Sequence, residues 1–151
     1  MRLIRDCLIT FLLLNSISLF GQEMTTYLSP FDAAQTLEKF KGVLDAKELN
    51  LFDVIDHQIN AKKIGEELRP TYVVIFGNPE IGTQWMMCEQ TVAIDLPLKV
   101  LIWEDETGDV FLSYTNPHLI GKRHQVKGCP EIGDKINAAL VRIINETIRE
   151  S

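Results

Sequence analysis

The chain has 151 residues, with 15 Lys or Arg against 21 Asp or Glu, a formal net charge of −6. That length fits one domain with a sizeable core. Affinity for phosphate backbones rests on clustered Lys and Arg, so an acidic chain argues against nucleic acid as a partner. The cysteines, Cys7, Cys88 and Cys129, form no Cys-x-x-Cys pair, and His57, His118 and His124 show no metal-type spacing. No metal and no cofactor is therefore expected.

Arg2 and Arg5 precede an apolar stretch from Cys7 to Phe20, interrupted by Thr10, Asn15, Ser16 and Ser18. This is the length of a signal-peptide core and falls short of the ~20 apolar residues of a membrane span. Residues 1–21 are expected to be a signal peptide and residues 22–151 a single domain. The product would be exported, periplasmic or extracellular, with no stable membrane insertion after cleavage. The alternative is a domain anchored by an uncleaved N-terminal segment. Cleavage after Gly21 leaves 13 basic and 20 acidic side chains, a more acidic chain than the precursor.

In chain order, Met24 to Leu28 suits a first strand. Ser29 is a candidate N-cap, with Pro30 at the first helical position and Asp32 at the capping-box acid. Ala33, Leu37, Phe40 and Leu44 then recur at helical spacing on one face, and the helix should end around Asp45 to Asn50. Leu51 to Asp56 suits a strand, Asn60 to Glu67 a short helix, and Thr71 to Phe76 a β-branched and aromatic strand stopped by Gly77-Asn78-Pro79. Glu80 to Gln90 reads as a short helix or an irregular loop. Leu98 to Trp103 and Val110 to Tyr114 are strands joined by a polar, Gly-containing turn, hence a hairpin. Lys122 to Lys127, the only basic cluster, reads as a solvated loop. Ile132, Ile136, Ala139, Leu140, Ile143, Ile144, Thr147 and Ile148 line one face of a final helix. The order β-α-β-(α)-β-β-β-α is satisfied by an α+β fold, an antiparallel sheet with its two main helices on one face.

Phe76 to Thr83 places two glycines after a strand, but no Lys follows the second to reach a nucleotide's phosphates, and Pro79 removes a backbone donor. His57, at a strand end, has three readings: a cap for the next helix, a pocket-lining group, or a general base. Arg69, at a strand start, suits bidentate capture of a carboxylate, or an internal ion pair with Asp95, Glu66 or Glu67. Asp95 suits a turn cap, and the Tyr114 hydroxyl suits either a cleft or a turn closure. Trp85, Met86 and Met87 suit a core cover, a pocket lid or a dimer contact. Ser113 lacks the Gly-x-Ser-x-Gly elbow of a hydrolase nucleophile. Cys88 and Cys129 are the only cysteines left once the leader is gone, and an even count in an oxidising compartment favours a disulfide between them. Two separate buried thiols are the alternative.

Seven segments occur in an order and spacing that resemble a known family: Asp56-His57, Ala61 to Gly65, Leu68 to Thr71, Phe76 to Pro79, Gly82-Thr83, Asp95 to Pro97, and Tyr114 to Pro117. The chain is similar over Tyr27 to Pro117 to domain of unknown function family 302. The resemblance implies a small domain, often dimeric, with a layout like that of the TATA-binding protein. It implies no catalytic residue, because the family has no agreed activity. The expected function is an uncharacterised exported domain that binds a small molecule or a protein partner. Its mouth would be built from His57, Arg69, Asn78, Thr83, Asp95 and Tyr114, polar residues at strand ends inside the family-like segments. An enzyme with His57 as general base and Arg69 as anion clamp, and a structural homodimer, are the rival readings.

Overall fold

A computed structural model describes residues 24–150, so the leader lies outside the described residues. The five strands are β1 (Met24–Ser29), β2 (Asn50–Asp56), β3 (Thr71–Gly77), β4 (Leu98–Glu104) and β5 (Val110–Thr115). They form one sheet in the order β1-β5-β4-β3-β2, and each neighbouring pair is antiparallel. The long helices α1 (Ala33–Ala46) and α5 (Pro130–Thr147) pack against each other and cover one face. The α+β class, the five strands and the two covering helices are as the sequence pattern predicts.

Period-two alternation decides which residues meet the helices. Val74 and Phe76 of β3, Val100 and Ile102 of β4, and Val110, Leu112 and Tyr114 of β5 are all buried. They meet Phe40 and Leu44 of α1 and Ile136, Leu140, Ile143 and Ile144 of α5 in one apolar core. Phe40 contacts Phe76 edge to face at 5.3 Å between ring centroids, the arrangement that aromatic quadrupoles favour.

Three local expectations are corrected, and one left open is resolved. Asp32, not Ser29, caps α1: its carboxylate accepts from the Gln35 N–H at 2.8 Å. Ser29 is unavailable because it is still paired in the sheet with Val110, and its hydroxyl bonds Thr36 Oγ1 at 2.7 Å. The second helix, α2, spans His57–Lys63 rather than Asn60 to Glu67. Asp56 caps it directly from the end of β2 through the Ile59 N–H, and Gly65 at φ +81° turns the chain away, a conformation that favours glycine. The ambiguous segment after Asn78 is a full helix, α3 (Pro79–Cys88), started by Asn78 as cap and Pro79 in the first turn. Part of the supposed basic loop is the end of α4 (Pro117–Arg123), whose cap is Asn116. Asn-Pro thus opens a helix at both places, where a turn reading sees only a strand being stopped.

Candidate functional site

Antiparallel pairing fixes two opposite ends of the sheet. The starts of β2 and β4 lie with the ends of β3 and β5 at one; the reverse termini lie at the other. A strand of this length spans ~20 Å at ~3.3 Å per residue. The structure divides the six predicted site residues between these ends. His57 and Arg69 stand at one, beyond the end of β2 and before the start of β3. Asn78, Thr83, Asp95 and Tyr114 stand at the other. His57 is exposed as the first residue of α2, whose cap is the neighbouring Asp56. Arg69 is also exposed and donates from Nε to the Glu104 backbone carbonyl at 3.1 Å, tying the start of β3 to the end of β4.

The end that holds Asn78 contains a cleft of about 440 Å³. Its walls come from four places. The side of α3 that carries Ile81, Gly82, Thr83 and Met86 forms one. Ile136, Ala139, Leu140 and Ile143 of α5 form the opposite one. Ala93, Leu96 and Pro97, in and after a 3-10 turn over Gln90–Ile94, close a third side. Phe76, Gly77 and Leu98 from the strand ends make the floor, with Leu49 and Phe52 at the lip. None of these lining residues is charged. Three of the family-like segments meet here: Phe76 to Pro79, Gly82-Thr83 and Asp95 to Pro97.

Asn78 and Thr83 line this cleft, but Asn78 is occupied as a cap, accepting at Oδ1 from the Glu80 N–H at 2.8 Å. Asp95 sits behind the cleft wall rather than in it. Its carboxylate accepts from Arg123 Nη1 at 2.9 and 3.1 Å and lies 2.7 Å from His124 Nε2. The other ring nitrogen of His124 lies 3.0 Å from Thr91 Oγ1. Thr91 donates in turn to Glu89 Oε1 at 2.7 Å, which holds the Glu89 carboxyl below the usual carboxylate range. This chain of bonds fastens the 3-10 turn to the end of α4. Tyr114 is 3% exposed and part of the core. Its ring stacks on Tyr27, its hydroxyl donates to Asn137 Oδ1 at 3.4 Å, and burial pushes the phenol up to about 12.

Trp85 is buried under α4 and α5, near Gly121 and Gly133, while Met87 is 82% exposed. Of the Trp85 to Met87 run, Met86 alone reaches the cleft. Cys88 at the end of α3 is bonded to Cys129, the cap position of α5, with Cα atoms 6.4 Å apart. The cleft's apolar lining was not identified as a site from sequence. Ile136, Ala139, Leu140 and Ile143 carry a visible helical period, but the same period marks ordinary core. Among the described residues, no helix is long and apolar enough to cross a membrane, and no group of three or more His, Cys, Asp or Glu could hold a metal ion.

The family model "Domain of unknown function DUF302" matches residues 25–146. A crystal structure of an uncharacterized conserved DUF302 protein from Bacillus stearothermophilus superposes with a TM-score of 0.77, at 15% identity, over 85% of this chain and 100% of that one. That likeness is one of fold. Two curated relatives are each 35% identical over 109 residues, 72% of this chain. They are named fluoride-specific ion channel FluC 1, from Brucella suis biovar 1 (strain 1330) and Brucella abortus biovar 1 (strain 9-941). The chain spans only 43% and 40% of their lengths. With the family model covering most of the sequence and the fold shared, the chain belongs to the DUF302 family.

Proposed function

We propose that the domain is a small-molecule-binding module whose ligand sits in the cleft between α3 and α5. The observation that carries this reading is the cleft itself: about 440 Å³ walled almost wholly by apolar groups. Ligand sites span about 300–1,000 Å³, are largely preformed and are mostly apolar. The convergence of three family-like segments on its walls supports the same reading. So does the occurrence of the matched segment inside longer relatives, as expected of a module that lends binding to another activity. The lining offers no cation to a small anion, so the reading does not carry fluoride over to this chain. It gives His57 and Arg69 no part in the ligand contact. Export of the domain, from the leader, belongs to the same proposal.

The test uses N-phenyl-1-naphthylamine, a neutral apolar dye that fluoresces when it leaves water. The wild-type domain should bind it saturably. Ala139→Trp, which fills the cleft from the α5 wall, should abolish the signal while the circular dichroism spectrum stays native. A dye that remains dark with wild type, or binds the filled variant equally well, refutes the reading.

A further inference from the structure

The apolar cleft does not end at its lip. A second groove of about 730 Å³ adjoins it, lined by Glu38, Lys41, Leu44 and Asp45 of α1 and by Asn50 and Leu51 at the start of β2. Leu49 and Phe52 line both spaces, so the apolar cleft adjoins a groove of mixed polarity.

Phe52 marks the junction through an irregularity in the sheet. Leu51 pairs with Phe76 and Asp53 with Ile75, which leaves Phe52 without a partner on β3. Such a bulge re-aims a side chain, and bulges concentrate beside functional sites. Here it turns an aromatic ring that is 52% exposed over Gly77, with Cε2 3.7 Å from where a Cβ on that glycine would stand. A large apolar ring held half in water at the mouth of an apolar cleft gains cover when a ligand passes beneath it.

The charges of the outer groove select what can follow. Lys41 is held by Glu38 at 2.9 Å. The Asp45 side chain has no hydrogen-bond or ion-pair partner among the described residues. With Glu38 and Lys41 paired, Asp45 is the uncompensated charge of the groove, and a further anion would meet repulsion there.

Resting on the reading of the cleft above, we propose that its ligand is a single-chain amphiphile. The hydrocarbon chain lies between α3 and α5. The head, hydroxylated or cationic but not anionic, lies in the α1 groove, and Phe52 closes over the join as a specificity-determining contact.

Three probes that share a decyl chain test this by displacing N-phenyl-1-naphthylamine: decyl glucoside, decyltrimethylammonium and decanoate. The first two should compete, and decanoate should be about tenfold weaker, the scale of one charge contact. Phe52→Ala should weaken the two good competitors by about tenfold without lowering the melting temperature, because the ring is half exposed. Asp45→Lys should bring decanoate level with, or ahead of, decyltrimethylammonium. Equal competition by all three probes in wild type, or an Asp45→Lys protein with unchanged preference, overturns the proposal. So does a dye that binds but is displaced by none of the three, which leaves the cleft reading standing. A dye that never binds removes both.

Discussion

The two ends of the sheet are built from similar sequence material and differ in what stands over them. Each carries polar residues, turn formers and a capped helix close to a strand terminus. At the Asn78 end, α3 leaves β3 at once, and α3 and α5 both line an apolar cleft. At the His57 end, α2 is short and has no buried residue. The β4–β5 hairpin there turns through Gly108 at φ +87° around the Asp105 side chain, which accepts from the backbone of Thr107 and Asp109. His57 and Arg69 are thus solvated while Ile136 and Leu140 wall a cleft. Strand-end polarity alone does not distinguish the two ends; the helices that roof the Asn78 end do.

Breaking the roof should have the largest effect. Ile143 is 2% exposed and belongs to both the core and the cleft wall. Ile143→Asp buries an unpaired carboxylate at a cost of several kcal/mol, against a total domain stability of about 5–15 kcal/mol. Thermal melting should find the variant unfolded or nearly so at 37 °C; a melting temperature within a few degrees of wild type would mean that α5 does not pack as described.

Removing the bond between the two walls should cost less. We expect Cys88 and Cys129 to be paired in the exported protein, as two residues with Cα atoms 6.4 Å apart can be. The closed loop spans 41 positions, which corresponds to about 4 kcal/mol in the chain-entropy model. The double Cys→Ser protein should melt well below wild type, yet stay folded at 20 °C. Maleimide should find no thiol in the unfolded, unreduced wild-type domain; two reactive thiols would show an unpaired protein.

The smallest effects belong to the other end. His57→Ala and Arg69→Ala should each leave dye binding within about twofold of wild type and shift stability by about 1 kcal/mol or less, as exposed positions do. A variant that lost binding but kept its fold would move the site across the sheet and revive the reading with a histidine base and an arginine clamp.

Much of the fold was legible because period carries it. The alternation in β3, β4 and β5 and the apolar face of α5 each state which side is buried. Asn78 and Thr83, singled out for their polarity, line the cleft, but the apolar walls around them were not singled out. Phe52 was invisible: a bulge depends on the register of β2 against β3, which no local pattern in Leu51 to Asp56 encodes. Asp95 and Tyr114 look alike as polar residues beside turns. Their separate fates, one bonded to Arg123 and His124 and the other stacked in the core on Tyr27, are set by partners 28 or more positions away. The start of α1 was misplaced for a similar reason, since Ser29 is claimed by the sheet.

The link from the end of α3 to the start of α5 would also bear on how fast the proposed ligand comes and goes. Two walls of the cleft, tied at Cys88 and Cys129, cannot swing apart there. The half-exposed Phe52 lines the cleft from β2, where no covalent bond resists a ring rotation. If the cleft binds as proposed, traffic through it would be governed by one side chain moving in nanoseconds or faster rather than by a slow domain hinge. Association should be quick even where affinity is high, and residence time should depend on Phe52 more than on the helices that do most of the holding.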